Sequence, residues 1–182
     1  MQRYFADQAI VLKRLNYSEA DRILTVFTHK HGKISCIAKG VRRTVSKKAP
    51  HIELFSLSNF YFARTKGLPL VTQAETINSF SHLKNNLETT KIAFHAAEIV
   101  DRLLAEDQPQ PDVFASYLKL LTYLDTGNQL TKQKQQLTLT RFQLKILTEL
   151  GFGQPKNQDK DSVTGFVESI IDRHLISPNT FE

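Results

Sequence analysis

Tryptophan is absent from this 182-residue chain, and cysteine occurs once. A lone Cys36 excludes an internal disulfide framework and any multi-cysteine zinc site among these residues. No apolar run approaches the ~18 residues that a membrane span needs. The seven glycines form no phosphate-cradling loop of the Walker type. The opening residues, MQRYFADQAIVLKR, lack the basic head, apolar stretch and small-residue cleavage site of a secretory signal, so a cytoplasmic location is expected. Negative charge is missing too: no Asp or Glu lies between Asp21 and Glu53.

What is present is globular in character, with 41% hydrophobic and 23% charged residues. The net charge of +6 is unevenly spread. Residues 1–80 hold thirteen Lys/Arg against five Asp/Glu, or +8, and residues 81–182 hold eleven against thirteen, or −2. That asymmetry points to a polyanion-binding module joined to a part with another task.

The first eighty residues read as five strands: QAIVLKRLNY, ADRILTVFTH, GKISCIAKGV, HIELFSLSNFYFAR and LPLVTQAETI. Turn-forming stretches separate them. In the third, Ile34, Cys36 and Ala38 alternate with Lys33, Ser35, Ile37 and Lys39, which implies one buried face and one wet, basic face. The fourth does not alternate cleanly, and a bulge or sharp bend would reconcile it. Five strands with no helical pattern between them predict a small OB-fold barrel over residues 1–80.

After Phe80 the period lengthens. SHLKNNLETTKIAFHAAEIVDRLLAE predicts one long helix, with Ser81 as its cap and Ala93, Ala96, Val100 and Leu103 on one stripe. DQPQPD reads as a loop. DVFASYLKLLTYLD, LTLTRFQLKILTEL and SVTGFVESIIDRHL predict three more helices, the first two stopped by Gly127 and Gly151. The fold class expected is therefore α+β, with a barrel at 1–80 and a helical domain at 81–182.

The stretch AKGVRRTVSKK (Ala38–Lys48) is the leading candidate site. Lys39, Arg42, Arg43, Lys47 and Lys48, with Lys33 on the basic strand face, suit phosphate binding by counterion release. A solvated loop is the plainer alternative, but the run lacks acids and flanks a basic strand. Phe55, Phe60, Tyr61 and Phe62 could stack on bases, although a small barrel needs such residues for its core. Gly32 suits the tight turn after His31, and Gly40 suits a strand exit. His29, His31 and Cys36 match no metal-ligand spacing, and neither metal nor cofactor is expected. His95 reads as a packed histidine, and Glu19, Asp21 and Arg22 as a salt bridge shaping a turn. No nucleophile, base and oxyanion site assemble, so no catalytic residue is expected.

The run AIVLKRLNYSEADRILTVFTHKHGKISCIAKGVRR resembles the N-terminal signature of the RecO family of bacterial recombination and repair mediators. The resemblance rests on Ala9–Leu12, Tyr17, Glu19, Asp21-Arg22, Thr28, Gly32-Lys33, Ala38–Gly40, Arg42-Arg43 and Ser46. It continues through Pro50, Leu54-Phe55 and Thr72–Glu75, and more loosely in the helical half to His174–Ser177. It implies a non-enzymatic protein with an OB-fold and a helical domain. Such a protein binds single- and double-stranded DNA, anneals strands, works with RecR, contacts single-strand-binding protein and helps RecA onto DNA. By position, Lys39, Arg42 and Arg43 match the family's basic DNA-contacting segment. Lys33, Lys47 and Lys48 are added from charge and strand direction. Many members carry a four-cysteine zinc site after the third helix; here GFGQPKNQDKD stands in that place, so the helical domain is expected to lack it. Two rival readings remain: an OB-fold protein for structured RNA, and a scaffold whose basic barrel meets an acidic protein tail.

Overall fold

The computed structural model, described at residues 3–127, 131–172 and 175, opens on a 14-residue strand, β1 (Tyr4–Tyr17). β2 (Asp21–Thr28), β3 (Gly32–Ala38), β4 (Leu57–Ala63) and β5 (Leu70–Asn78) follow. They close in the order β1-β2-β3-β5-β4, the five-stranded OB-fold barrel expected from the strand pattern. β1 serves both ends of the closure: Tyr4–Ile10 pair with β4, and Ala9–Tyr17 pair with β2. Its register shifts between Val11 and Lys13, and an extra residue there bends the strand around the barrel. β3 and β5 meet in parallel at Ile37 and Leu70.

Side-chain alternation places the core. Ala9, Val11, Leu24, Val26, Ile34, Cys36, Phe60, Phe62 and Val71 fill the interior. The irregular fourth strand resolves into two pieces. A 3-10 turn at Ala49–Ile52 buries Ile52. β4 begins only at Leu57 and then alternates, with Phe60 and Phe62 inside and Tyr61 outside. Between the pieces Phe55 takes a positive φ of 66°. The strained residue is held because its N–H donates to the Val11 carbonyl at 2.9 Å, on the β1 bulge.

The helical part comprises α1 (Ser81–Lys84), α2 (Leu87–Leu103), α3 (Pro111–Leu124), α4 (Lys132–Glu149) and α5 (Lys160–Ile171). The single long helix expected from Ser81 is instead a helical turn and a helix. Ser81 does not cap it; Phe80 occupies that place, with φ of 50° and no side-chain cap. The break falls at Asn85-Asn86, where Asn86 Oδ1 accepts from the N–H groups of Glu88 (2.9 Å) and Thr89 (3.3 Å). An asparagine at a helix start competes well with continued helix. Ile99, Leu147, Val167 and Leu175 form an apolar cluster among α2, α4 and α5. His174, Ile176 and Ser177 lie outside the described residues.

The chain divides into two compact units, and the division is not a simple cut near residue 80. Leu104–Pro111 belongs with residues 1–79, so the chain leaves the helical unit after α2 and returns at Asp112. In that excursion Glu106 bridges to Lys33 in parallel, and the Asp107 N–H donates to the Lys33 carbonyl at 2.9 Å. The Ser35 hydroxyl donates to the Glu106 carboxylate at 2.8 Å. Residues expected as the end of the long helix (104–106) and as a plain loop (107–111) thus add to the barrel wall beside β3.

Candidate nucleic-acid interface

β3 ends at Ala38, and its outward row passes through half-buried Lys33, Ser35 and Ile37 to exposed Lys39. The chain then turns at Gly40, whose φ of +68° few other residues adopt. The Gly40 N–H donates to Asp21 Oδ1 at 2.8 Å, and the Arg42 N–H donates to the Ala20 carbonyl at 2.9 Å. Val41, only 2% exposed, drops into the barrel core. The entry of the basic stretch is therefore fixed by two backbone bonds and a buried side chain.

Its exit is fixed as well. The Lys48 ammonium donates to the Val71 carbonyl at 3.1 Å, and the 3-10 turn with buried Ile52 follows. Burial lowers the Lys48 pKa, opposed by the nearby Asp21 carboxylate. Between these anchors Arg42, Arg43, Thr44, Val45 and Lys47 are exposed, Val45 to 84%. Arg42 Nη1 donates to the Ser18 carbonyl at 3.2 Å, which leaves the rest of its fork outward. Among the described residues no ion pair joins Lys39, Arg42, Arg43 or Lys47 to a carboxylate.

The six candidate cations are thus not equivalent. Lys39, Arg42, Arg43 and Lys47 come together as an exposed set at and beyond the β3 exit. Lys48 is half-buried and committed to a backbone carbonyl. Lys33 is half-buried at the other end of β3, beside the acidic Glu106-Asp107 pair of the returning segment. Asp21, expected to pair with Arg22, instead holds Gly40, while Arg22 Nε donates to Asn16 Oδ1 at 3.3 Å. Pattern reading missed this anchor because its partner is a backbone N–H nineteen residues away.

The outer sheet next to this set is partly apolar. Register lines up Leu15, Ile23, Ile37 and Leu70 across β1, β2, β3 and β5. Of the four aromatics considered for stacking, Phe55, Phe60 and Phe62 are core, and Tyr61 is 39% exposed. Cys36 is also core, and burial pushes its thiol pKa up to about 12. Among the described residues no group of three His, Cys, Asp or Glu could hold a metal ion. A four-cysteine zinc site does not fit a chain with one cysteine. No described helix is long and apolar enough to cross a membrane.

Two family models match: Recombination protein O N terminal over residues 1–80, and Recombination protein O C terminal over residues 84–175. The DNA repair protein RecO of Dehalococcoides mccartyi strain CBDB1 is 34% identical over 148 residues, which cover 81% of this chain and 56% of that protein. The DNA repair protein RecO of Roseiflexus sp. strain RS-1 is 34% identical over 150 residues, covering 82% and 51%. That of Acetivibrio thermocellus is 32% identical over 150 residues, covering 82% and 58%. The chain spans a little over half the length of these curated relatives.

Proposed function

The chain belongs to the Recombination protein O family, and from that premise we propose that it is a DNA-repair mediator whose basic barrel binds single- and double-stranded DNA. It promotes annealing of complementary strands and, with RecR, assists RecA in replacing single-strand-binding protein. The observation that carries the DNA-binding part is the exposed set Lys39, Arg42, Arg43 and Lys47 on a stretch anchored at both ends.

The physical argument concerns what annealing needs. Two backbones must be held while base edges stay free to find each other. Cations on a pinned stretch can neutralise phosphates without reading sequence. Because Val41 and Lys48 fix the ends, little backbone freedom is lost when phosphates arrive. No covalent step is catalysed. RecR, single-strand-binding protein and RecA enter by family resemblance, and no surface of this chain is assigned to them.

The test is Arg42→Glu with Arg43→Glu. Binding to any DNA sequence should weaken, and each lost phosphate contact should flatten the salt dependence by roughly 0.7 to 0.9 in logarithmic slope. Undiminished affinity at ~0.15 M salt would remove the basic stretch from the interface. A clear preference for a matched RNA over single-stranded DNA would favour RNA as the substrate.

A further inference from the structure

The outer faces of β1 and β4 meet the β2–β3 turn in a depression of ≈ 440 Å³. It is lined by Ala6 and Gln8 of β1, Asn59 and Tyr61 of β4, and His29 and Lys30 of the turn, with Asp7 beneath. Strand register accounts for the shape. Ala6 lies opposite Tyr61 and Gln8 opposite Asn59, so four outward side chains form a square. Ala6 adds no bulk beside Tyr61, which is 39% exposed.

The turn forming the wall is held rigidly. The Asp7 side chain is only 1% exposed, and its Oδ2 accepts from the Lys30 N–H at 2.8 Å and lies 2.7 Å from His31 Nδ1. The His31 ring packs 4.7 Å from Phe5, which stacks on Phe62. The Thr28 hydroxyl accepts from the His31 N–H and donates to the Gly32 carbonyl. With His31 turned to the barrel, His29 and Lys30 border the depression.

We propose that this depression seats one nucleotide of a single strand, at a place separate from the basic stretch: its base lies on Tyr61 and its phosphate meets Lys30 and His29. An aromatic face accepts any base. Gln8 and Asn59 each carry a donor and an acceptor, so their amides suit any base edge and discriminate little. Glu75 lies opposite Asn59 on β5, and its Oε1 accepts from Gln73 Nε2 at 2.6 Å. Phosphate is thereby steered to the opposite, turn side. The basic stretch touches Ser18, just past the far end of β1 and at most roughly 40 Å from Ala6 at the rise of an extended strand. Two separated anchors suit a protein that must hold two backbones at once. The proposal rests on the DNA-binding reading above.

The experiment uses the whole chain and an oligothymidylate carrying 5-iodouracil, irradiated and mapped by mass spectrometry. An adduct is expected on the peptide that contains Tyr61, and Lys30→Glu should lower its yield. In titrations, Tyr61→Ala should reduce affinity for the single strand about fivefold relative to affinity for a duplex, whose bases cannot leave their stack to lie on the ring. Tyr61→Phe should restore the ratio. If the strand binds but adducts map only elsewhere and Tyr61→Ala leaves the ratio unchanged, the seat is refuted while DNA binding stands. If the unaltered protein binds no oligonucleotide, the DNA reading falls and takes the seat with it.

Discussion

The two units differ in how fully their buried polar groups are paired. In the barrel, Asp7 holds the β2–β3 turn, Thr28 closes the same turn, and the Ser58 hydroxyl donates to the His51 carbonyl beside the 3-10 turn. Each of these buried atoms is spent on fixing a connection. The helical unit instead contains four buried polar atoms without a protein partner among the described residues: His95 Nε2, Tyr117 Oη, Gln143 Nε2 and Glu149 Oε2. A buried polar atom that stabilises a turn repays its desolvation; one without a partner is a cost to its unit. The difference teaches where rigidity has been concentrated, namely in the turns that present cations.

The sharpest way to break that contrast is to strain the barrel's own joint. Gly32 has a φ of +76°, and a Cβ there would lie 2.1 Å from the Gln108 carbonyl oxygen. Gly32→Ala should destabilise the barrel by about 3 kcal/mol, combining left-handed strain with overpacking against backbone. Chemical unfolding with a probe in the barrel would read it, and a loss under 1 kcal/mol would show the returning segment to be loosely held.

On the helical side, burial pushes the His95 pKa down from 6.5 to about 4, with Glu98, Lys160 and Glu168 as its charged neighbours. The unfolded chain takes up the proton near its ordinary value, while the folded unit refuses it until about pH 4. Stability is therefore complete above pH 6.5 and falls as pH drops through that window, by up to about 3 kcal/mol. Urea midpoints measured from pH 7 to pH 4 should show the slope, and His95→Leu should remove most of it. An identical slope in the variant would assign the acid sensitivity elsewhere.

The smallest effect has the opposite sign. Tyr117→Phe deletes a fully buried hydroxyl that has no partner. The variant should be as stable as the parent or about 1 kcal/mol more so, as a melting curve would show. A clear loss would mean that a bound water or partner satisfies the hydroxyl, and would erase the contrast between the units.

Much of this was legible from residue pattern, and the exceptions share a cause. Alternation in Ile34, Cys36 and Ala38 located the barrel interior because a pleat has a fixed period of two. The apolar stripes of α3 and α4 were equally readable from a period of 3.6. Long-range backbone acceptors were not. Asp21 looked like half of a salt bridge, and residue pattern singled out no role for Asp7. Pattern does not encode a backbone N–H brought from β3's exit or from the β2–β3 turn. The break at Asn85-Asn86 was missed because the long helix was read from its apolar stripe, which says nothing of where a side-chain cap interrupts it. The exposed cations at Lys39, Arg42, Arg43 and Lys47 followed from charge and strand direction together, whereas the commitment of Lys48 to Val71 needed the β5 backbone in place.

The excursion of Leu104–Pro111 has a consequence for how the protein is made. All five strands are available once Asn78 has emerged from the ribosome, but the segment beside β3 arrives only after α2 has been synthesised. The barrel cannot acquire its last backbone partners until a loop of about seventy residues, from Lys33 to Glu106, has closed. Closing a loop of that length costs little more than closing one of half the length, yet it delays the final step of folding. Until then the flank of β3 is an exposed edge, and it is through translation order rather than surface chemistry that this chain is most open to pairing with the wrong neighbour.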